Sequence, residues 1–153
     1  MTMKKKVLPQ SIPRPIEILL ALCGLIAVAP VLLLAAALIR LDSRGKILFR
    51  QRRIGLNGEE FTLLKLRTMR PAKKGLMITA ADDMRVTRVG RFLRRAKIDE
   101  LPELWNVVRG DMSFVGPRPE VEQFVDLHDP VWREILSHRP GITDPVTLRL
   151  RNE

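Results

Sequence analysis

Asp99 and Glu100 stand side by side in KIDELPELWNVVRGDMSFVGPRP, residues 97–119, and Lys65, Arg67, Arg88, Arg91, Arg94, Arg95 and Arg118 supply cations around them. Two readings of the acidic pair are open. As a helix start, Asp99 is the cap and Glu100 sits in the first turn, where the macrodipole favours negative charge. That reading gives the cations no purpose. As a reaction centre, a carboxylate approaching a phosphoryl group meets repulsion of about 4 kcal/mol per charge pair at ~4 Å in an effective dielectric near ~20. Arginine clamps or a bound Mg²⁺ offset such repulsion. An ionised aspartate needs no base to attack, and a neighbouring glutamate can hold the metal. The pattern points to phosphoryl transfer.

The elements around the pair have their own signatures. Residues 46–69 read as a β-hairpin, with Asn57-Gly58 suited to a tight turn between two β-prone runs. In the second run Phe61, Leu63, Lys65 and Arg67 share one face. Lys65 and Arg67 are therefore two cations side by side, although a solvated edge strand carries such residues too. Residues 70–83 read as a loop, and Asp82 and Asp83 fit a helix start. An amphipathic helix with an arginine stripe at Arg88, Arg91 and Arg94 or Arg95 follows. Leu101, Leu104, Trp105 and Val108 recur at helical spacing, so a second helix is expected from Asp99 or Leu101, with Pro102 in its first turn and Gly110 ending it. GPRP at 116–119 is a rigid turn that fixes Arg118.

The formal net charge of +10 on 153 residues calls for a polyanionic partner: nucleic acid, anionic lipid or a phosphorylated substrate. With five Phe, two Trp and no Tyr, the chain has little with which to stack bases, which counts against a nucleic-acid partner. A single cysteine, Cys23, excludes a disulfide within the chain, and two distant histidines without cysteine company make a zinc site a poor fit.

Residues 18–39 are uncharged throughout and would reach ~33 Å as a helix, enough for a bilayer core of ~30 Å. Basic residues flank both ends: Lys4, Lys5, Lys6 and Arg14 before, Arg40, Arg44, Lys46, Arg50, Arg52 and Arg53 after. Both flanks prefer the cytoplasmic side, and only a segment that turns back satisfies both. Pro30, near the middle, is where a helix can break. From these residues a re-entrant segment and a Pro-kinked spanning helix both stay open. Two parts of the chain follow: residues 1–45, a basic segment and membrane helix, and residues 46–153, a membrane-associated domain.

The order of these motifs resembles the bacterial sugar transferases, the monotopic phosphoglycosyl transferases that begin lipid-linked glycan assembly. RPIEILLALCGLIAVAPVLLL, FRQRRIGLNGEEFTLLKLRTM, RVTRVGRFLRRAKIDELPELWNVVRGDMSFVGPRPE and RPGITDPV carry the resemblance over most of the chain from Arg14 onward. It implies an α+β fold with an N-terminal re-entrant membrane helix broken at Pro30, a β-hairpin, and short amphipathic helices at the membrane surface. It implies a two-step reaction: an aspartate takes a sugar 1-phosphate from a UDP-sugar, releasing UMP, and polyprenyl (undecaprenyl) phosphate then accepts it. By motif, Asp99 is the nucleophile and Glu100 the Mg²⁺ ligand. Arg94 and Arg118 are phosphate clamps, Lys65 and Arg67 shape the site, and Arg151 is a further arginine of the substrate site.

The partners so implied are UDP-sugar, polyprenyl phosphate and inner-membrane lipid, without nucleic acid and with homodimerisation left open. The catalytic domain is expected on the cytoplasmic face of the bacterial inner membrane. Two departures from the family pattern stand out. Ala29 replaces the serine common before the helix-breaking proline, and the chain ends at Glu153, where relatives usually continue. A shortened form and an incomplete chain are the two expectations from that end. A non-catalytic membrane-anchored basic module, binding anionic lipid or a partner protein, is the competing reading.

Overall fold

A computed structural model of the protein describes residues 12–70 and 84–144. Helix α1, Arg14–Asp42, takes its entry angle from Pro13 at the cap and a proline in its first turn. Its 29 residues reach ~44 Å. Pro30 lies inside this one helical element rather than between two. It removes a single backbone donor, the partner of the Ile26 carbonyl. Bulky apolar residues point away from the rest of the chain, with Ile26 75%, Leu33 72% and Leu34 62% exposed. The helix is long and apolar enough to cross a membrane.

Its inward side is small. Ala21 packs with Leu63, Val107 and Met112 in one core, and Ala35 and Ile39 pack with Leu66 and Leu93 in a second. A Cβ on Gly24 would stand 3.4 Å from Leu104. Both halves of the helix therefore lie against the same body.

Strands β1 (Leu48–Ile54) and β2 (Glu60–Leu66) pair antiparallel, from Leu48 opposite Leu66 to Ile54 opposite Glu60. The link between them is longer than a two-residue turn. It runs from Gly55 to Glu59 through a 3-10 turn, closed by Gly55 N–H donating to Glu59 O at 2.8 Å. Asn57 and Gly58 still supply the left-handed backbone, at φ 57° and 81°.

Helix α2 (Arg88–Arg95) begins later than expected. Thr87 caps it, its Oγ1 accepting from Gly90 N at 2.9 Å, while Asp82 and Asp83 lie outside the described residues. At Gly90 a Cβ would come within 2.1 Å of Thr68 O, so only glycine lets α2 lie this close to the end of β2.

Helix α3 (Glu103–Arg109) also differs from expectation. Residues 98–100 form a separate 3-10 turn, and Pro102 occupies the α3 cap without a side-chain bond, so Asp99 is not its cap. The deepest face is not the predicted apolar stripe. Asn106 and Val107 are fully buried, whereas Trp105 is 46% exposed. The reason is polar. Asn106 is a bridge to β2, its Nδ2 donating to Thr62 O at 2.7 Å and its Oδ1 accepting from Leu64 N at 3.1 Å. Gly110 ends the helix at φ 100°.

Strands β3 (Ser113–Val115) and β4 (Gly141–Thr143) pair in parallel, joined through α4 (Pro130–Leu136). No periodic signal announced these short elements.

Candidate active site

The site lies where β2, the 3-10 turn and α3 converge. Lys65 Nζ stands 3.1 Å from Glu100 Oε1 and 3.1 Å from Glu103 Oε1. Lys97, which starts the turn with a left-handed φ of 59°, reaches Glu100 Oε1 more loosely at 3.9 Å. That strained residue turns the chain sharply out of α2, setting Asp99 and Glu100 over the end of β2.

Asp99 is buried, at 8% exposure, and its Oδ1 has no hydrogen-bond partner among the described residues. Burial pushes its carboxyl above the ordinary aspartate pKa, and the Glu100 charge pushes the same way; Lys65 and Arg94 pull against them. Arg94 is held for that task by its Nε–H donating to Thr68 Oγ1 at 2.8 Å. Glu103 is more deeply placed, at 4% exposure, and burial raises its pKa from 4.5 to about 7 against the pull of Lys65.

Beside this group opens a cleft of about 340 Å³ including its mouth, walled by Arg53, Lys65, Glu100, Glu103, Arg118 and Pro119. Arg118 is exposed at its rim. Arg53 braces the turn that carries it. One guanidinium nitrogen donates to Pro119 O at 3.0 Å, and the same nitrogen lies 3.7 Å from Glu120 Oε2. Burial draws the pKa of Arg53 below its ordinary value, with Glu120 opposing and Arg118 adding to the fall.

Of the residues singled out in the sequence, Lys65, Glu100 and Arg118 line one cleft. Asp99 adjoins them, and Arg94 acts on Asp99 from outside the lining. Arg67 points elsewhere. Its guanidinium donates to Arg44 O at 3.1 Å and to Ser43 O at 2.6 Å, closing the carboxyl end of α1. Arg151 lies outside the described residues.

Sequence reading missed Glu103 and Arg53 as site members. Both are charged residues inside otherwise apolar or paired runs, DELPELW and RRIG, and their burial is the signal that composition cannot show. It also missed Glu17, 2% exposed near the start of α1, which bonds Arg14 at 3.0 Å and Ser113 Oγ.

A magnesium ion fits the donors present. Among the described residues no three His, Cys, Asp or Glu side chains group as ligands. Mg²⁺, however, is ordinarily held by one or two carboxylates with substrate phosphates and water completing the shell. Glu100, on the cleft wall, suits that arrangement, whereas Asp99 Oδ1 is buried outside the cleft lining.

A buried aspartate with a neighbouring carboxylate and fixed cations thus shares one body with a long apolar helix. The chain belongs to the bacterial sugar transferase family, whose model matches residues 8–153. It is 51% identical over 126 residues to a UDP-glucose:undecaprenyl-phosphate glucose-1-phosphate transferase of Caulobacter vibrioides, covering 79% of this chain and 47% of that protein. It is 41% identical over 139 residues to a UDP-N-acetylgalactosamine-undecaprenyl-phosphate N-acetylgalactosaminephosphotransferase of Aeromonas hydrophila, covering 86% and 32%. To the exopolysaccharide production protein ExoY of Sinorhizobium fredii it is 40% identical over 157 residues, covering 92% and 70%. The chain thus spans less than half the length of the first two.

Proposed function

We propose that this protein transfers a sugar 1-phosphate from a UDP-sugar to undecaprenyl phosphate through a covalent intermediate on Asp99. The observation that carries this reading is the uncommitted Oδ1 of Asp99 beside Glu100, with the charges of Lys65 and Arg94 acting on it. A carboxylate oxygen of Asp99 attacks the β-phosphorus of the donor. The bond from that phosphorus to the bridging oxygen breaks, and UMP leaves with the electron pair. A phosphate oxygen of undecaprenyl phosphate then attacks the same phosphorus and releases Asp99, giving undecaprenyl-diphosphate sugar. Arg118 and Lys65 face the diphosphate from the cleft walls, and Lys65 and Arg94 oppose the rise of the Asp99 pKa. Bound at Glu100, Mg²⁺ supplies Lewis-acid stabilisation of phosphate charge.

The apolar side of α1 enters one leaflet, and both ends of the helix stay at the cytoplasmic face. Two tethers support this. Near the start of α1, Arg14 bonds Met112 O at 3.0 Å and Val107 O, and Glu17 bonds Ser113. At its end, Asp42 Oδ2 accepts from Val89 N at 3.2 Å, and Arg67 holds Ser43. A bilayer cannot lie between two ends bonded to one body. With Ala29 offering no hydroxyl to the broken ladder at Pro30, these tethers supply the constraint.

UMP release tests the reaction. Purified protein in nanodiscs receives Mg²⁺, undecaprenyl phosphate and a panel of donors including UDP-glucose and UDP-N-acetylgalactosamine. Release with one donor, lost in Asp99→Asn, is the expected result. Release that survives Asp99→Asn removes the covalent intermediate.

A further inference from the structure

Lys65 sets its ammonium between two unlike carboxylates, 3.1 Å from an oxygen of each. Glu103 is 4% exposed, fixed in the first turn of α3 and ion-paired to Lys65. Glu100 is more open, its side chain 22% exposed, and forms one wall of the cleft. An ammonium has three donors on a flexible stem, so it can keep one bond while it gives up another. A divalent cation on Glu100 would repel an ammonium bonded to the same oxygen.

We propose that Lys65 is a built-in competitor for the divalent cation at Glu100, and that Glu103 is the positioning residue that holds Lys65 when the cation takes its place. The proposal rests on the reading of Glu100 as a metal ligand. Its physical basis is the geometry of the bridge. With Glu103 present, release of Glu100 leaves the ammonium paired and still in the cleft, facing the donor phosphates. Without Glu103, Lys65 has Glu100 alone and holds it harder.

Mn²⁺ binding to the full chain in nanodiscs, followed by electron paramagnetic resonance without nucleotide sugar, tests this independently of turnover. Lys65→Met is expected to tighten Mn²⁺ binding about fivefold and Glu103→Gln to weaken it comparably, the scale of one partly screened ion pair. The double variant should bind like Lys65→Met alone, because Glu103 then has no ammonium to hold. Lys65→Arg, which keeps the cation, should bind no tighter than the parent. Equal weakening by Glu103→Gln with and without Lys65 would mean that Glu103 acts only through its charge, and overturns the proposal. Unchanged binding in Lys65→Met overturns it too. Glu100→Gln separates the underlying reading: parent-like Mn²⁺ binding there removes Glu100 as the ligand, whereas lost binding there with Lys65→Met unchanged removes only the competition.

Discussion

Arg67, the residue after β2, closes the carboxyl end of the membrane helix, its guanidinium donating to Ser43 O at 2.6 Å and to Ser43 Oγ at 2.9 Å. The last carbonyls of a helix have no partners within it, and here a buried cation supplies them. Arg67→Ala should destabilise the protein by about 3 kcal/mol, since several charged hydrogen bonds go at once. Arg67→Lys should recover only part of that, because an ammonium lacks the fork that reaches Arg44 O and Ser43 O together. Thermal melts in nanodiscs measure both. The KM for the UDP-sugar should stay unchanged in the folded fraction, and a raised KM would instead place Arg67 in the substrate site.

Asn106 joins α3 to β2 and also donates to Asp111 Oδ2 at 3.0 Å. Asn106→Ala should cost about 2–4 kcal/mol, because it strands the part-buried Thr62 O and Leu64 N groups as well as losing the bonds. Asn106→Asp should be worse, as a carboxylate would face Thr62 O and Asp111. Denaturation midpoints of the two variants check the order.

Glu103 makes stability depend on pH in a known direction. Its pKa is raised from 4.5 to about 7, so between those values the folded chain holds a proton that the unfolded chain has lost. Stability therefore falls as pH rises through that window and levels off above it, by up to about 3 kcal/mol. In metal-free buffer, Glu103→Gln should reduce this slope to the part that the raised Asp99 carboxyl contributes. An undiminished slope in the variant would assign it to another group.

Arg94 and Asp99 couple through pH as well. The Arg94 charge pulls the raised pKa of Asp99 back down. Arg94→Met should push that pKa higher, so the acid limb of the UMP-release profile moves to higher pH. An acid limb that stays in place while the rate falls would confine Arg94 to substrate binding.

Much of the site was readable from local chemistry. Asp99 and Glu100 are adjacent in the chain, whereas Lys65 reaches Glu100 from 35 positions away and only through the fold. The apolar run at 18–39 was legible because length and lack of charge are themselves the signal. Arg67 shows where such reading stops. Strand alternation placed it with Lys65, but β2 ends at Leu66, and Arg67 N–H instead donates to Ile47 O at 2.8 Å while its side chain turns to α1.

The amino-acid sequence by itself determined the acidic pair, the cation supply, the lipid-compatible helix and the stop at Gly110, because each depends on residues a few positions apart. Only the tertiary structure decided that Glu103 shares Lys65 with Glu100, that Arg53 braces the turn bearing Arg118, and that both ends of α1 are tied to one body. Those relations join residues tens of positions apart, and burial, not residue type, sets their charge and strength.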